Sequence, residues 1–259
     1  MSRGFSLVEL SIVLVILGLL TGGILAGQSL IRASELRTIT TQYQNYVTAV
    51  QSFRDKYFAL PGDMTNATQF WKAAAAPIGC AVTQGTGTQT CDGNGDGRIE
   101  YNVSTSNESF RFWQQLANAG LIEGSYTGIN AGPGVGYVST ADNVPRGRIS
   151  NALWWTEYWA AGTAGDAMRF AARYDNLLLV GGQRSTGDPL MPILKPEEMW
   201  NIDVKMDDGK PALGKVGVVA FNGLSLCTTT VANNPATSAA DYLLNSSAVE
   251  CAPYFRQVF

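Results

Sequence analysis

The sequence predicts an α+β fold: a long N-terminal α-helix, membrane-spanning in its first half, packed on a head domain with an antiparallel β-sheet. Three observations carry this. Residues 5–27 form an almost unbroken apolar run. Apolar residues then recur at helical spacing up to Phe58, with no proline before Pro61. Beyond Pro61 short helical and strand-like stretches alternate with glycine-rich turns, without repeats or a linker that would divide the head.

A helix rises about 1.5 Å per residue, so the run from Phe5 to Gly27 is long enough for a hydrocarbon core of about 30 Å. Gly18, Gly22, Gly23 and Gly27 permit close helix contact, or mark a stretch that loosens on assembly. Residues 28–60 continue the helix amphipathically: Leu30, Ile31, Leu36, Ile39, Tyr43, Tyr46, Val47, Val50, Phe53 and Tyr57 fall on one face. Leu60-Pro61-Gly62-Asp63 stops it.

Residues 61–259 form the head. Asn66 to Ala76 reads as a short helix ending at Pro77. Asn107 to Gly120 reads as a second, capped by Asn107, with Phe110, Trp113, Leu116 and Ala117 as its apolar face. Met168–Tyr174, Asn176–Gly181 and Lys215–Phe221 read as strands. A helix starts at Lys195, with Pro196 near its first position and acids in its first turn. Asp207-Asp208-Gly209 is a turn signal and a weaker second cation candidate.

Composition narrows the function. The 259 residues are 46% hydrophobic and only 15% charged, with net charge −3, so nucleic acid is not an expected partner. The chain has no histidine, which excludes Ser-His-Asp, Cys-His and His-ligated zinc chemistry within it. Its carboxylates form no recognisable catalytic pair, and it does not read as an enzyme. Cys80, Cys91, Cys227 and Cys251 read as two disulfides in an oxidising compartment. Four cysteines allow three connectivities. Nearest-neighbour pairing, Cys80–Cys91 and Cys227–Cys251, closes short loops and is the expected one.

Glu9 is the only charged residue between Arg3 and Arg32. A carboxylate within a membrane span costs about 2.5–3.5 kcal/mol on insertion scales and implies a partner. The stretch Gly4-Phe5-Ser6-Leu7-Val8-Glu9-Leu10 resembles the processing site of type IV prepilins and type II secretion pseudopilins. The resemblance implies a leader at residues 1–4, cleavage after Gly4 by prepilin peptidase, and N-methylation of Phe5. Glu9 would then pair with the N-terminal amine of a neighbouring subunit. It further implies a pilin-like fold and a single-pass inner-membrane protein that later enters a periplasmic or extracellular filament. Partners would be other copies and related pilins, the assembly machinery and membrane lipid. A pilus subunit is the leading reading, and a secretion pseudopilin is the alternative.

Two head motifs add to this. Asp92-Gly-Asn94-Gly-Asp96-Gly97-Arg98-Ile-Glu100 matches the first half of an EF-hand loop, which predicts a structural calcium ion. The ligands would be Asp92, Asn94, Asp96, the Arg98 carbonyl and Glu100. Val103 stands where the full motif has glutamate, and Glu108 is the candidate substitute. Trp154, Trp155, Tyr158 and Trp159 are either core or a sugar-stacking platform, the latter giving a membrane-anchored adhesin as a further alternative.

Overall fold

The computed structural model describes residues 6–76, 80, 82–101, 107–130, 132, 138, 142–149, 151–161, 169–184, 187–219, 226–229 and 240–259. Gly4, Phe5, Val103 and Met168 lie outside them.

Helix α1 runs from Leu7 to Tyr57. Among the described residues it is the one helix long and apolar enough to cross a membrane. Apolar side chains from Leu7 to Leu25 are exposed on all sides. Contact with the head begins at Arg32, so Leu30 and Ile31 stay exposed, contrary to the expectation that they share the head-facing stripe. That stripe is Ile39, Tyr46, Ala49, Val50 and Phe53, flanked by partly buried Leu36, Tyr43 and Tyr57. The helix stops at Tyr57, before Leu60. Pro61 has no N–H to give the Tyr57 carbonyl, and Phe58 turns left-handed at φ 56°, its N–H still reaching the Arg54 carbonyl.

The head carries a five-stranded antiparallel sheet. Strands β1 (Ala152–Trp159), β2 (Asp175–Arg184), β3 (Gly187–Met191), β4 (Val216–Val218) and β5 (Pro253–Arg256) lie in the order β1-β2-β5-β4, with β3 also pairing β2. Trp154 faces Val180, and Phe255 of β5 faces both Leu178 and Val216. Among the described residues three helices complete the head: α2 (Ala67–Trp71), α3 (Glu108–Asn118) and α4 (Pro196–Met206).

Helix α1 lies across the sheet through aromatic contacts. Tyr43 stacks on Phe255 at 4.3 Å between ring centroids. Tyr46 meets Trp154 edge-on at 5.2 Å and Trp113 of α3 at 5.0 Å. Such pairs contribute about 0.5–1.5 kcal/mol beyond their area burial.

Several elements differ from expectation. The first head helix ends at Trp71, because Lys72 adopts φ 64° and Ala73 leaves to bridge Thr90. Asn107 precedes α3 without a side-chain cap bond, since its own φ of 52° is unsuited to an N-cap. Described residues 169–174 are not a strand: the Tyr174 hydroxyl donates to the Phe170 carbonyl and closes the segment on itself. The Lys215–Phe221 strand shortens to β4, while residues 220–225 lie outside the described set. Strands β1, β3 and β5 carry no alternation that separates them from buried loop.

Candidate functional site

The helix start is built from two residues. Ser6 is the N-cap: its hydroxyl accepts the Glu9 N–H at 3.2 Å, and the Glu9 carboxylate accepts the Ser6 N–H at 2.8 Å. This reciprocal box satisfies two N–H groups that a helix end leaves without partners. The negative charge also sits at the positive end of the helix dipole. Glu9 is therefore an exposed acid, held in place by its own chain, on a helix whose apolar surface is uncovered.

Residues 1–25 match the prokaryotic N-terminal methylation motif. The match supports a type IV prepilin- or pseudopilin-type protein. Among curated proteins and among solved structures, nothing matches the chain significantly.

The second site is the glycine-rich loop. Its backbone is folded around two buried carboxylates. Asp63, just past the end of α1, accepts the N–H groups of Gly95 at 2.6 Å and Asp96 at 3.2 Å on Oδ1, and of Gly97 at 2.9 Å on Oδ2. Glu108, first residue of α3, accepts the N–H groups of Asn94 at 3.1 Å and Glu100 at 2.9 Å. Burial pushes the Asp63 carboxyl above its ordinary range, and the N–H groups of Gly97 and Gly95 pull it back. The Asn176 side chain of β2 closes the far end, donating to the Gly97 carbonyl and accepting the Ile99 N–H, each at 2.9 Å.

The expected ligands are distributed as follows. Asp92 is turned to α2, its two oxygens accepting the Thr68 N–H at 2.7 Å and hydroxyl at 2.9 Å. Asn94 and Asp96 are exposed, and each accepts the N–H two residues on. The Arg98 guanidinium lies over the Tyr158 ring at 4.6 Å. The loop thus offers only oxygen donors, which suits a hard cation. Of the predicted set, Asp92 has both carboxylate oxygens engaged by Thr68. Sequence reasoning missed Asp63 and Asn176. Asp63 carries a signal as part of Pro61-Gly62-Asp63, but that reads as a helix stop; Asn176 carries none.

Disulfides pair Cys80 with Cys91 and Cys227 with Cys251, the nearest-neighbour arrangement. The first closes the entry to the glycine-rich loop. The carboxylate oxygens of Asp203, Asp207 and Asp208 also lie within 4.8 Å of one another. They are engaged as a turn: Asp203 accepts the Tyr242 hydroxyl at 2.7 Å and the Gly209 N–H at 3.1 Å, and Asp207 accepts the Lys215 and Val216 N–H groups.

The sugar-stacking platform is corrected. Trp154 and Trp155 are 0% exposed and Trp159 is buried. Trp155 packs edge-on against Phe110 at 4.8 Å. Period-two alternation would send neighbouring tryptophans to opposite faces of β1. Both faces of this strand are covered, so all three rings are core.

Proposed function

We propose that this chain is a structural, non-catalytic subunit of a type IV pilus-like filament. It is cleaved after Gly4 by prepilin peptidase, methylated at Phe5, and held in the inner membrane by residues 5–27 before assembly. The observation that supports this most is the methylation-motif match combined with the uncovered apolar part of α1, from Leu7 to Ile31, whose one acid is Glu9. That surface is stable only in lipid or against other such helices. Glu9 then gives assembly its register: a neighbour's N-terminal amine neutralises a charge that lipid penalises. The test is mass spectrometry of the mature protein, expected to begin at methylated Phe5; a native start at Met1 sinks the reading. Glu9→Val should insert and be cleaved, yet fail to form filaments.

The glycine-rich loop is proposed as a structural calcium site, with oxygens from Asn94, Asp96, the Arg98 carbonyl, Glu100 and Glu108, and from Asp92 once it leaves Thr68. Bound calcium would hold the loop against α3. A chelator should lower the melting temperature of the purified protein, and restored calcium should recover it. Identical melting curves remove the calcium ion from the proposal.

A further inference from the structure

Helix α1 ends on an aromatic residue that is unfavourable twice over. Phe58 is 92% exposed, and its φ of 56° puts a bulky side chain in the left-handed region, where glycine or asparagine is usual at a helix end. It does not stand alone. It rims an open cleft of about 710 Å³, lined also by Leu60, Phe259 and the glycine-rich loop at Gly95 and Gly97. Phe70, 55% exposed, packs on the neighbouring Tyr57 ring at 5.2 Å between centroids. Asp63 reaches the cleft with both oxygens engaged by loop N–H groups, so its exposed charges are Arg54 and Asp55 at the rim. Clustered exposed apolar side chains with a charged rim mark a protein contact.

Two sources of cover are out of reach. Phe58 is 31 residues beyond Gly27, about 46 Å further along the helix. Lipid around residues 5–27 ends well short of it, since a headgroup layer is only about 5–7.5 Å thick. The chain's own bare segment is held at the opposite end of one continuous helix.

A second copy offers the matching surface. From Leu10 to Ile31 the helix has no charged side chain, and its large apolar side chains are uncovered. Within that stretch Gly18 and Gly22 have nothing within 4 Å of where a Cβ would stand, so each leaves a notch among the leucines. They are four residues apart, on one face of the helix, and their notches adjoin. A ring that stands clear of one helix fits a notch that is open on another, as a knob fits a hole.

We propose that Phe58 seats in the Gly18–Gly22 notch of a second copy, whose flanking leucines fill the cleft beside it. Phe58 is 36 residues from Gly22 and 40 from Gly18, so the second copy is displaced along the helix axis by about 54–60 Å. Each copy gives its head tip to one neighbour and its bare helix to another. Such a contact is heterologous, and the axial displacement keeps it from closing into a ring, so copies add as an open filament. The assignment rests on the filament reading above.

The test uses the full-length chain expressed with its assembly machinery, carrying the photo-crosslinker benzoylphenylalanine in place of Phe58. Light should join position 58 to residues around Gly18 and Gly22 of a second copy, mapped by mass spectrometry. A crosslink to another copy's head or to a different protein, or none in assembled filaments, overturns the assignment. Phe58→Asn removes the ring and suits a left-handed φ, so the purified protein should melt no lower than wild type. Its filament yield should nonetheless fall about ten-fold or more, the loss expected for an aromatic anchor at an interface. Phe58→Tyr keeps a ring and should keep filaments. A yield that falls together with the melting temperature overturns the contact and makes Phe58 a residue of the fold. Phe58→Asn filaments at wild-type yield defeat this inference alone, whereas a wild-type chain that forms no filament defeats the filament reading as well.

Discussion

Arg32 of α1 and Glu198 of α4 form a two-point ion pair, Nε to Oε1 at 2.6 Å and Nη2 to Oε2 at 2.7 Å. It is the joint between the bare part of the helix and the head. Burial alone would raise the Glu198 carboxyl, but bonds from Arg32 and the Lys195 N–H outweigh it and hold it below the usual range. Glu198 in turn holds the Arg32 guanidinium above its ordinary value against burial.

Glu198→Gln should therefore loosen this joint. The pair is partly exposed, and solvent screening limits the loss to about 1–2 kcal/mol at neutral pH. A carboxyl whose folded pKa is depressed contributes stability above its unfolded pKa and loses it as pH falls through the folded value. The gap between wild type and variant in denaturant melts should accordingly close in acid. A gap that persists there would mean that Glu198 acts by shape alone.

The glycine-rich loop makes a sharper demand. A Cβ on Gly93 would sit 2.4 Å from the Asp63 backbone, while one on Gly97 would meet nothing within 4 Å. Gly97 is constrained only by its φ of 82°. Gly97→Ala should cost about 1 kcal/mol of left-handed strain. Gly93→Ala should cost more, about 2–3 kcal/mol, because a backbone must move. Thermal melts of the two variants would order them, and the reverse order would disprove this packing.

The Cys227–Cys251 bridge closes a loop with a sequence separation of 24. Replacing both cysteines by serine should cost about 3 kcal/mol by loop entropy. Reductant should lower the wild-type melting temperature further than the double substitution does, because it also opens Cys80–Cys91, and in the double variant only that second, smaller drop should remain.

What the sequence made legible follows from how local each signal is. Helix α1, its apolar run and the Glu9 motif are periodic or contiguous, and they were readable. So was the helix start at Pro196, which needs only Pro196 and two nearby acids. The loop motif was readable as chemistry but not as geometry: Asp63 and Asn176, which hold its backbone, are 34 and 79 residues from Gly97 in the chain. Strand β1 was hidden because both its faces are buried, so Trp154 and Trp155 alternate without a polar side. Strand β5 is four residues long and is defined only by its neighbours β2 and β4.

Asp203 supplies one part of the pH dependence, alongside Glu157 and Asp188, whose carboxyls burial also raises. It is fully buried on α4, and burial pushes its carboxyl up to about 7, with the Tyr242 hydroxyl and the Gly209 N–H opposing the shift. A carboxyl raised in the folded state is protonated there while the unfolded chain has already lost the proton. Between its ordinary value of 3.8 and about 7 the native state holds more protons, so stability falls as pH rises through that window. Asp63 is shifted the same way, so removing Asp203 takes away part of the slope and not all of it. Asp203→Asn keeps the shape of the protonated acid: its amide oxygen still accepts the Gly209 N–H, and its NH₂ meets the Tyr242 hydroxyl. The variant should melt near the wild-type temperature at pH 4 and above it at pH 8, where wild type must carry a buried charge. A wild-type melting temperature flat from pH 4 to 8, or an equal slope in Asp203→Asn, would show that Asp203 is ionised throughout.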